Sequence, residues 1–321
     1  MALEDSTPSA KRVVATSFAV HFVDLLINAT VAVLTGSAVL LAESLQAVSD
    51  IASTAFLYIG VLRSRKPRDG VHQYGHGREL YFWTLMTSLV MLLASGIPSF
   101  ILGLKRVLNP EPVSNVSLAY LVLTVAFFTN LYSFRMSFKR LMGGKRKLGM
   151  VSAFMRTPRV ETKASFVLDS VAALAAISGL LSLAVFGLTG ETRFDGVGAM
   201  LIGLFTIALS ILLVMGVRDF LLGRRASPSA EKKIRLAIKE FPKVKKIIDL
   251  KTMYIGPDTI LVSTEIYLKK ALSALEVEKL VEALQEGIEK RVPEARFVQI
   301  QVETPKGGKK ARMVEKKVEE Y

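Results

Sequence analysis

Apolar residues gather in six blocks over the first two thirds of the chain, at 13–34, 38–62, 80–104, 116–134, 164–188 and 197–217. Each is close to the ~20 residues that a helix rising ~1.5 Å per residue needs to cross a ~30 Å hydrocarbon core. The third and sixth blocks carry no charged side chain. The first does not read as a cleaved signal peptide: its apolar stretch is too long, His21, Asp24 and Asn28 interrupt it, and no small-residue cleavage site follows. The pattern predicts an α-helical integral membrane protein with six transmembrane helices.

After Leu222 the pattern becomes that of a small folded domain. Ile234, Ala237, Ile238 and Phe241 repeat at helical spacing up to Pro242, and Ile260, Val262, Thr264, Ile266 and Leu268 alternate as in a half-buried strand. Gly256-Pro257 marks a turn between strand-like runs at 247–255 and 259–268. Ser273 and Glu276 form a capping-box pattern ahead of Val277, Leu280, Val281, Leu284 and Ile288, and Val298, Ile300 and Val302 alternate again. The predicted order is helix, strand, strand, helix, strand, an α+β domain. The expected organisation is an N-terminal segment 1–12, a membrane domain 13–222, an α+β domain 223–305 and a charged tail 306–321.

Composition narrows the class. The 321 residues are 51% hydrophobic, contain no cysteine, and hold 42 Lys+Arg against 28 Asp+Glu. A disulfide-built domain and a Cys-ligated zinc or iron–sulfur site are thereby excluded. The excess of basic residues is unevenly placed. Arg63, Arg65, Lys66, Arg68 and Arg78 lie between spans two and three, and Lys139, Arg140, Lys145, Arg146, Lys147, Arg156, Arg159 and Lys163 between spans four and five. The opposite loops hold only Lys105, Arg106 and Arg193. The positive-inside rule then puts both termini in the cytoplasm, with the basic loops against lipid headgroups. Aromatic and basic residues do not interleave, so nucleic-acid binding is not expected.

Ionisable residues within a span are costly and point to function. Span two carries Glu43, Gln46 and Asp50 on one helix face, and span five carries Ser165 and Asp169, four residues apart. Two carboxylates in low dielectric call for a bound cation, a proton, or other compensating charge or water. The alternative is that both aspartates are hydrogen-bond partners in helix packing. A second cluster, Asp69, His72 and His76, lies between spans two and three and holds two of the three histidines of the chain. Two imidazoles four apart with a carboxylate three residues before the first form a possible set for a borderline metal; the same residues also read as an ordinary polar loop. His21, Asp24 and Asn28 form a polar stripe on span one, a possible proton relay or a face packed on span two.

Three segments carry a resemblance: TGSAVLLAESLQAVSD, HQYGHGRELYFW and LDSVAAL. Together with the six spans, the DGVGAMLIG start of span six and the small C-terminal domain, they resemble the cation diffusion facilitator family of divalent-metal efflux transporters over roughly residues 12 to 305. The resemblance implies a homodimer in the cell membrane that exchanges a divalent cation for protons by alternating access, with no other cofactor. It implies a tetrahedral transport site at Gln46, Asp50, Ser165 and Asp169, a loop metal site at Asp69, His72 and His76, and a C-terminal domain with a metallochaperone-like, ferredoxin-like fold.

The departures shape the expectation. Gln46 and Ser165 stand where the family usually has His or Asp, which leaves an oxygen-only set. That set moves the expected substrate from Zn²⁺ toward Mn²⁺, Fe²⁺ or Mg²⁺. Gln46 and Ser165 do not titrate near neutral pH, so proton coupling falls to Asp50 and Asp169, with His21 and Asp24 as the possible relay. The C-terminal domain has no His, so a regulatory metal site there would rest on Glu265 and Glu303. Loss of the usual ligands leaves a second reading, a non-transporting family member acting as metal sensor or heteromeric partner. An enzyme is not expected, since no H-E-x-x-H, G-x-S-x-G or Walker pattern occurs. The loop metal is expected to hold spans two and three together, near a pairing of Arg78 with Asp219.

Overall fold

The computed structural model describes residues 10–143 and 149–303. Lys145, Arg146 and Lys147, the tail 306–321 and most of the expected segment 1–12 lie outside the described residues. The chain forms two compact units, one from the residues through Arg63 with Glu79–Arg218, the other from Ser64–Arg78 with the residues from Asp219 onward.

In the first unit the apolar blocks are helices: α1 (Ala10–Thr35), α2 (Ala38–Ser64), α3 (Glu79–Val90), α4 (Ile97–Leu108), α5 (Val116–Met142), α7 (Val160–Thr189) and α8 (Arg193–Leu222). A π-helical turn, Met91–Gly96, joins α3 to α4, so these two make one span of Glu79–Leu108. Six segments among the described residues are thus long and apolar enough to cross a membrane. A short helix α6 (Met150–Arg156) precedes α7 and has no counterpart in the hydropathy pattern, being too short to show periodicity.

Two features fix the packing of this unit. A core of Val39, Leu40, Leu123, Leu183 and Ile202 joins α2, α5, α7 and α8. The α4 and α8 backbones also meet directly, since a methyl at Gly103 would collide with the Met200 amide and one at Gly203 with the Phe100 amide. Small residues permit such close crossings, which favour dispersion contact where lipid supplies no hydrophobic drive. Ser37 caps the first turn of α2 weakly, its Oγ accepting from the Leu40 N–H at 3.4 Å. Asp195 of α8 completes the cap, accepting from the Ala38 N–H at 2.5 Å, the Val39 N–H at 3.2 Å and Ser37 Oγ at 2.5 Å.

The second unit follows the expected order: α9 (Pro228–Lys239), β1 (Val244–Gly256), β2 (Thr259–Leu268), α10 (Ala274–Arg291) and β3 (Phe297–Glu303). The sheet order is β1-β2-β3. β1 and β2 form an antiparallel hairpin closed at Gly256↔Thr259, and β3 lies parallel to β2 in the register Val262↔Val298, Ile266↔Val302. A parallel neighbour needs a crossover, which α10 supplies. Ser273 and Glu276 form the reciprocal capping box that starts α10. Ile234, Ala237 and Ile238 of α9 and Leu280, Leu284 and Ile288 of α10 are buried, together with Ile260, Val262 and Ile266 of the sheet.

Candidate functional site

Gln46 and Asp50 sit one turn apart on α2, and Gln46 Nε2 donates to Asp50 Oδ1 at 3.0 Å. Gln46 is buried, and its Oε1 faces Ser95 Oγ at 2.8 Å and Thr206 Oγ1 at 3.4 Å. The charges of Asp169 on α7 and Asp24 on α1 both act on Asp50. Ser165 lies one turn before Asp169, and both are half-buried. Ser137 of α5 hydrogen-bonds Asp169 and the Arg140 guanidinium acts on it. Arg140 reads from sequence as a loop cation, but it lies within α5 and partly compensates Asp169.

The polar stripe of α1 faces the protein. Asn28 is buried, His21 and Asp24 are half-buried, and Phe22, Val23, Leu26 and Ile27 are exposed. Asn28 Nδ2 donates to Asp24 Oδ1 at 3.0 Å. Glu43 of α2 is buried, with the charges of Asp24 and Asp50 acting on it. Glu43 Oε1 and Asn28 Oδ1 have no hydrogen-bond partner among the described residues.

The loop residues Asp69, His72 and His76 form a second constellation. One ligand atom from each lies within 4.8 Å of the others. His72 Nδ1 is 3.3 Å from Asp69 Oδ1, and His76 Nε2 is 3.4 Å from Asp69 Oδ2. His76 Nδ1 lies 3.1 Å from the Pro67 carbonyl, a contact that assigns the proton to Nδ1 and leaves the Nε2 lone pair toward Asp69. The His72 backbone N–H at 2.6 Å, with the Val71 N–H at 2.9 Å and the His72 ring, holds the Asp69 carboxyl below the usual carboxylate range. Donors and geometry therefore fit a borderline divalent cation such as zinc, with two imidazoles and one carboxylate as ligands.

This loop packs on the C-terminal domain. Gly77 approaches β1 so closely that a methyl there would lie 2.6 Å from Gly256 Cα and from the Ile255 carbonyl oxygen. Tyr74 meets Phe297 of β3 edge-on at 5.3 Å. Arg78 reaches the Met253 sulfur at 3.2 Å rather than Asp219, because docking of the loop turns its side chain toward β1.

Several buried polar contacts of the membrane unit carry no signal in the sequence. Ser95 and Thr206 are uncharged hydroxyls in apolar spans, of which the chain has many. Lys163, which reads as a loop cation, lies in the first turn of α7, fully buried, with Nζ donating to the Gly216 carbonyl at 2.8 Å and lying 5.3 Å from the Phe154 ring centroid.

A model of the cation efflux transmembrane domain matches residues 14–222, and a model of the cation efflux protein cytoplasmic domain matches residues 226–305. Metal tolerance protein C4 of Arabidopsis thaliana is 24% identical over 267 residues, 82% of this chain and 58% of that protein. The human protein "Proton-coupled zinc antiporter SLC30A9, mitochondrial" is 24% identical over 266 residues, 81% of this chain and 47% of that protein. Cation-efflux pump FieF of Serratia proteamaculans (strain 568) is 24% identical over 261 residues, 81% of this chain and 82% of that protein. The chain thus spans about half the length of the first two relatives. With both its membrane and its C-terminal portions matched, the chain belongs to the cation diffusion facilitator family of cation efflux proteins.

Proposed function

We propose that this protein is a divalent cation transporter of the cell membrane that moves metal out of the cytoplasm in exchange for protons. The observation that carries the reading is a pair of intramembrane carboxylates on different helices of the six-span unit, Asp50 of α2 and Asp169 of α7, with the charge of Asp169 acting on Asp50. With Gln46 and Ser165 they offer oxygen donors only, which suit Mn²⁺, Fe²⁺ or Mg²⁺ better than a histidine-containing set would. Zn²⁺ remains the substrate that the family and the name of the human relative favour.

Both termini lie in the cytoplasm in this reading, as the basic loops require. His21 and Asp24, on the protein-facing stripe of α1, relay protons to Asp50, with Glu43 alongside. The loop ligands Asp69, His72 and His76 bind a resident metal that fixes the loop on the C-terminal domain, and that domain pairs two copies into a homodimer. Nothing in this scheme calls for bond-making chemistry, so the protein is a transporter and not an enzyme.

The test is uptake into proteoliposomes with Zn²⁺, Mn²⁺, Fe²⁺ and Mg²⁺ in competition, with a pH dye inside. Saturable uptake of at least one cation coupled to proton movement is expected. Binding of cations without uptake of any of them would assign the chain to a sensor or heteromeric role instead.

A further inference from the structure

Gln46 meets Asp50 with the wrong end for a metal ligand. Its Nε2 faces the carboxylate and its Oε1 faces Ser95 and Thr206. The neighbours suit this orientation: Asp50 Oδ1 accepts the amide N–H, and the Gln46 carbonyl oxygen is left to accept from the Ser95 hydroxyl. Gln46, Ser95 and Thr206 are all buried, so bulk water does not substitute for either partner. A cation seated on Asp50 repels the amide N–H₂ and attracts the carbonyl oxygen. For Gln46 to ligate, its amide must turn end for end.

The two hydroxyls serve the two orientations unequally. Ser95 Oγ donates its proton to Gln46 Oε1 at 2.8 Å. Thr206 has one hydroxyl proton, and its shorter contact is with the Ile202 carbonyl at 2.8 Å, against 3.4 Å to Gln46. With the proton committed to Ile202, Thr206 Oγ1 presents lone pairs, which suit an amide N–H better than a carbonyl oxygen. Ser95 therefore holds the cation-free orientation, and Thr206 receives the reversed one. Ser95 lies within the π-helical turn Met91–Gly96, where the wider turn offsets the side-chain register of the span; such turns often mark functional sites.

We propose that Ser95 and Thr206 are positioning residues for the transported cation, opposed hydroxyls that set the balance between the cation-free and cation-ligating orientations of the Gln46 amide. The proposal rests on the reading of Gln46 and Asp50 as part of the transport site.

The experiment measures KM and kcat for Mn²⁺ uptake by the full chain in proteoliposomes, for wild type, Ser95→Ala and Thr206→Val, each also in a Gln46→Leu background, with Asp50→Ala alongside. Ser95→Ala should lower KM and Thr206→Val should raise it, each by about threefold or more, the size expected for one buried neutral hydrogen bond. Both shifts should vanish with Gln46→Leu. If Gln46→Leu does not transport, equilibrium Mn²⁺ binding by the same variants in a His72→Ala/His76→Ala background reads the same signs. Shifts in one direction for both variants, shifts that persist without Gln46, or no shift at all overturn the proposal while Asp50→Ala still abolishes uptake. Normal uptake by Asp50→Ala would instead overturn the transport-site reading itself.

Discussion

Ser37 Oγ donates to Asp195 Oδ1 at 2.5 Å, with both residues buried, so that the carboxylate of one span closes the turn ahead of another. Asp195 satisfies the Ala38 and Val39 N–H groups, which no residue of α2 can reach. Asp195→Asn should therefore destabilise the membrane unit by about 2 kcal/mol, because both carboxylate oxygens accept and an amide of the same shape replaces one of them with an N–H₂ donor. The loss is read as a lower unfolding midpoint in detergent, with the C-terminal domain unaffected.

Asp50→Ala and Asp169→Ala should each abolish cation uptake in vesicles, with folding and dimerisation intact. Each change removes half the carboxylate charge that offsets a dehydrated divalent cation. For Asp169 it also leaves Arg140 without its facing carboxylate. Wild-type uptake by either variant would exclude the Asp50 and Asp169 pair as the transport site.

Gln46→His or Ser165→His should shift the competition profile toward Zn²⁺ by about tenfold or more relative to Mn²⁺ or Mg²⁺, because an imidazole supplies the borderline nitrogen donor that the oxygen set lacks. An unchanged preference in both variants at matched expression would argue against an oxygen-only site.

His72→Ala combined with His76→Ala should remove one bound metal per protomer and alter the uptake rate without eliminating uptake. Metal affinity at the loop should fall on acidification, since imidazole nitrogens ligate only when unprotonated. Asp69 contributes little to that fall, because the His72 backbone N–H holds its carboxyl below the usual carboxylate range. Titration with Zn²⁺ at several pH values reads both effects, and wild-type stoichiometry in the double variant would reduce the cluster to a polar loop.

Lys163→Met keeps the length of the side chain but removes the donor to Gly216 and the cation over Phe154. Loss of the Gly216 contact leaves a buried carbonyl short of one donor, so a destabilisation of about 1–3 kcal/mol is expected. Thermal unfolding of the purified protein measures it.

The sequence by itself determined the spans, the order of elements in the C-terminal domain and the grouping of Asp69, His72 and His76. Hydropathy blocks of membrane length and strict alternation at 260–268 are local signals, and Asp69, His72 and His76 come together within one short turn because they are close in the chain. Polar residues at i, i+3 and i+7 likewise placed His21, Asp24 and Asn28 on one face of α1, and burial puts that face toward the protein. Only the tertiary structure decided which helices meet. The pairing of Ser95 and Thr206 with Gln46 and of Lys163 with Gly216, and the influence of Arg140 on Asp169, depend on the rotation of each helix and on the choice of its neighbour. The same holds for the loop: only the approach of β1 shows that a side chain at Gly77 would collide with Gly256. The physical reason is shared. A hydroxyl, a glycine or a cation near the end of a span takes its role from what lies across the interface, and contacts between helices are set by packing over the whole bundle rather than by neighbours in the chain.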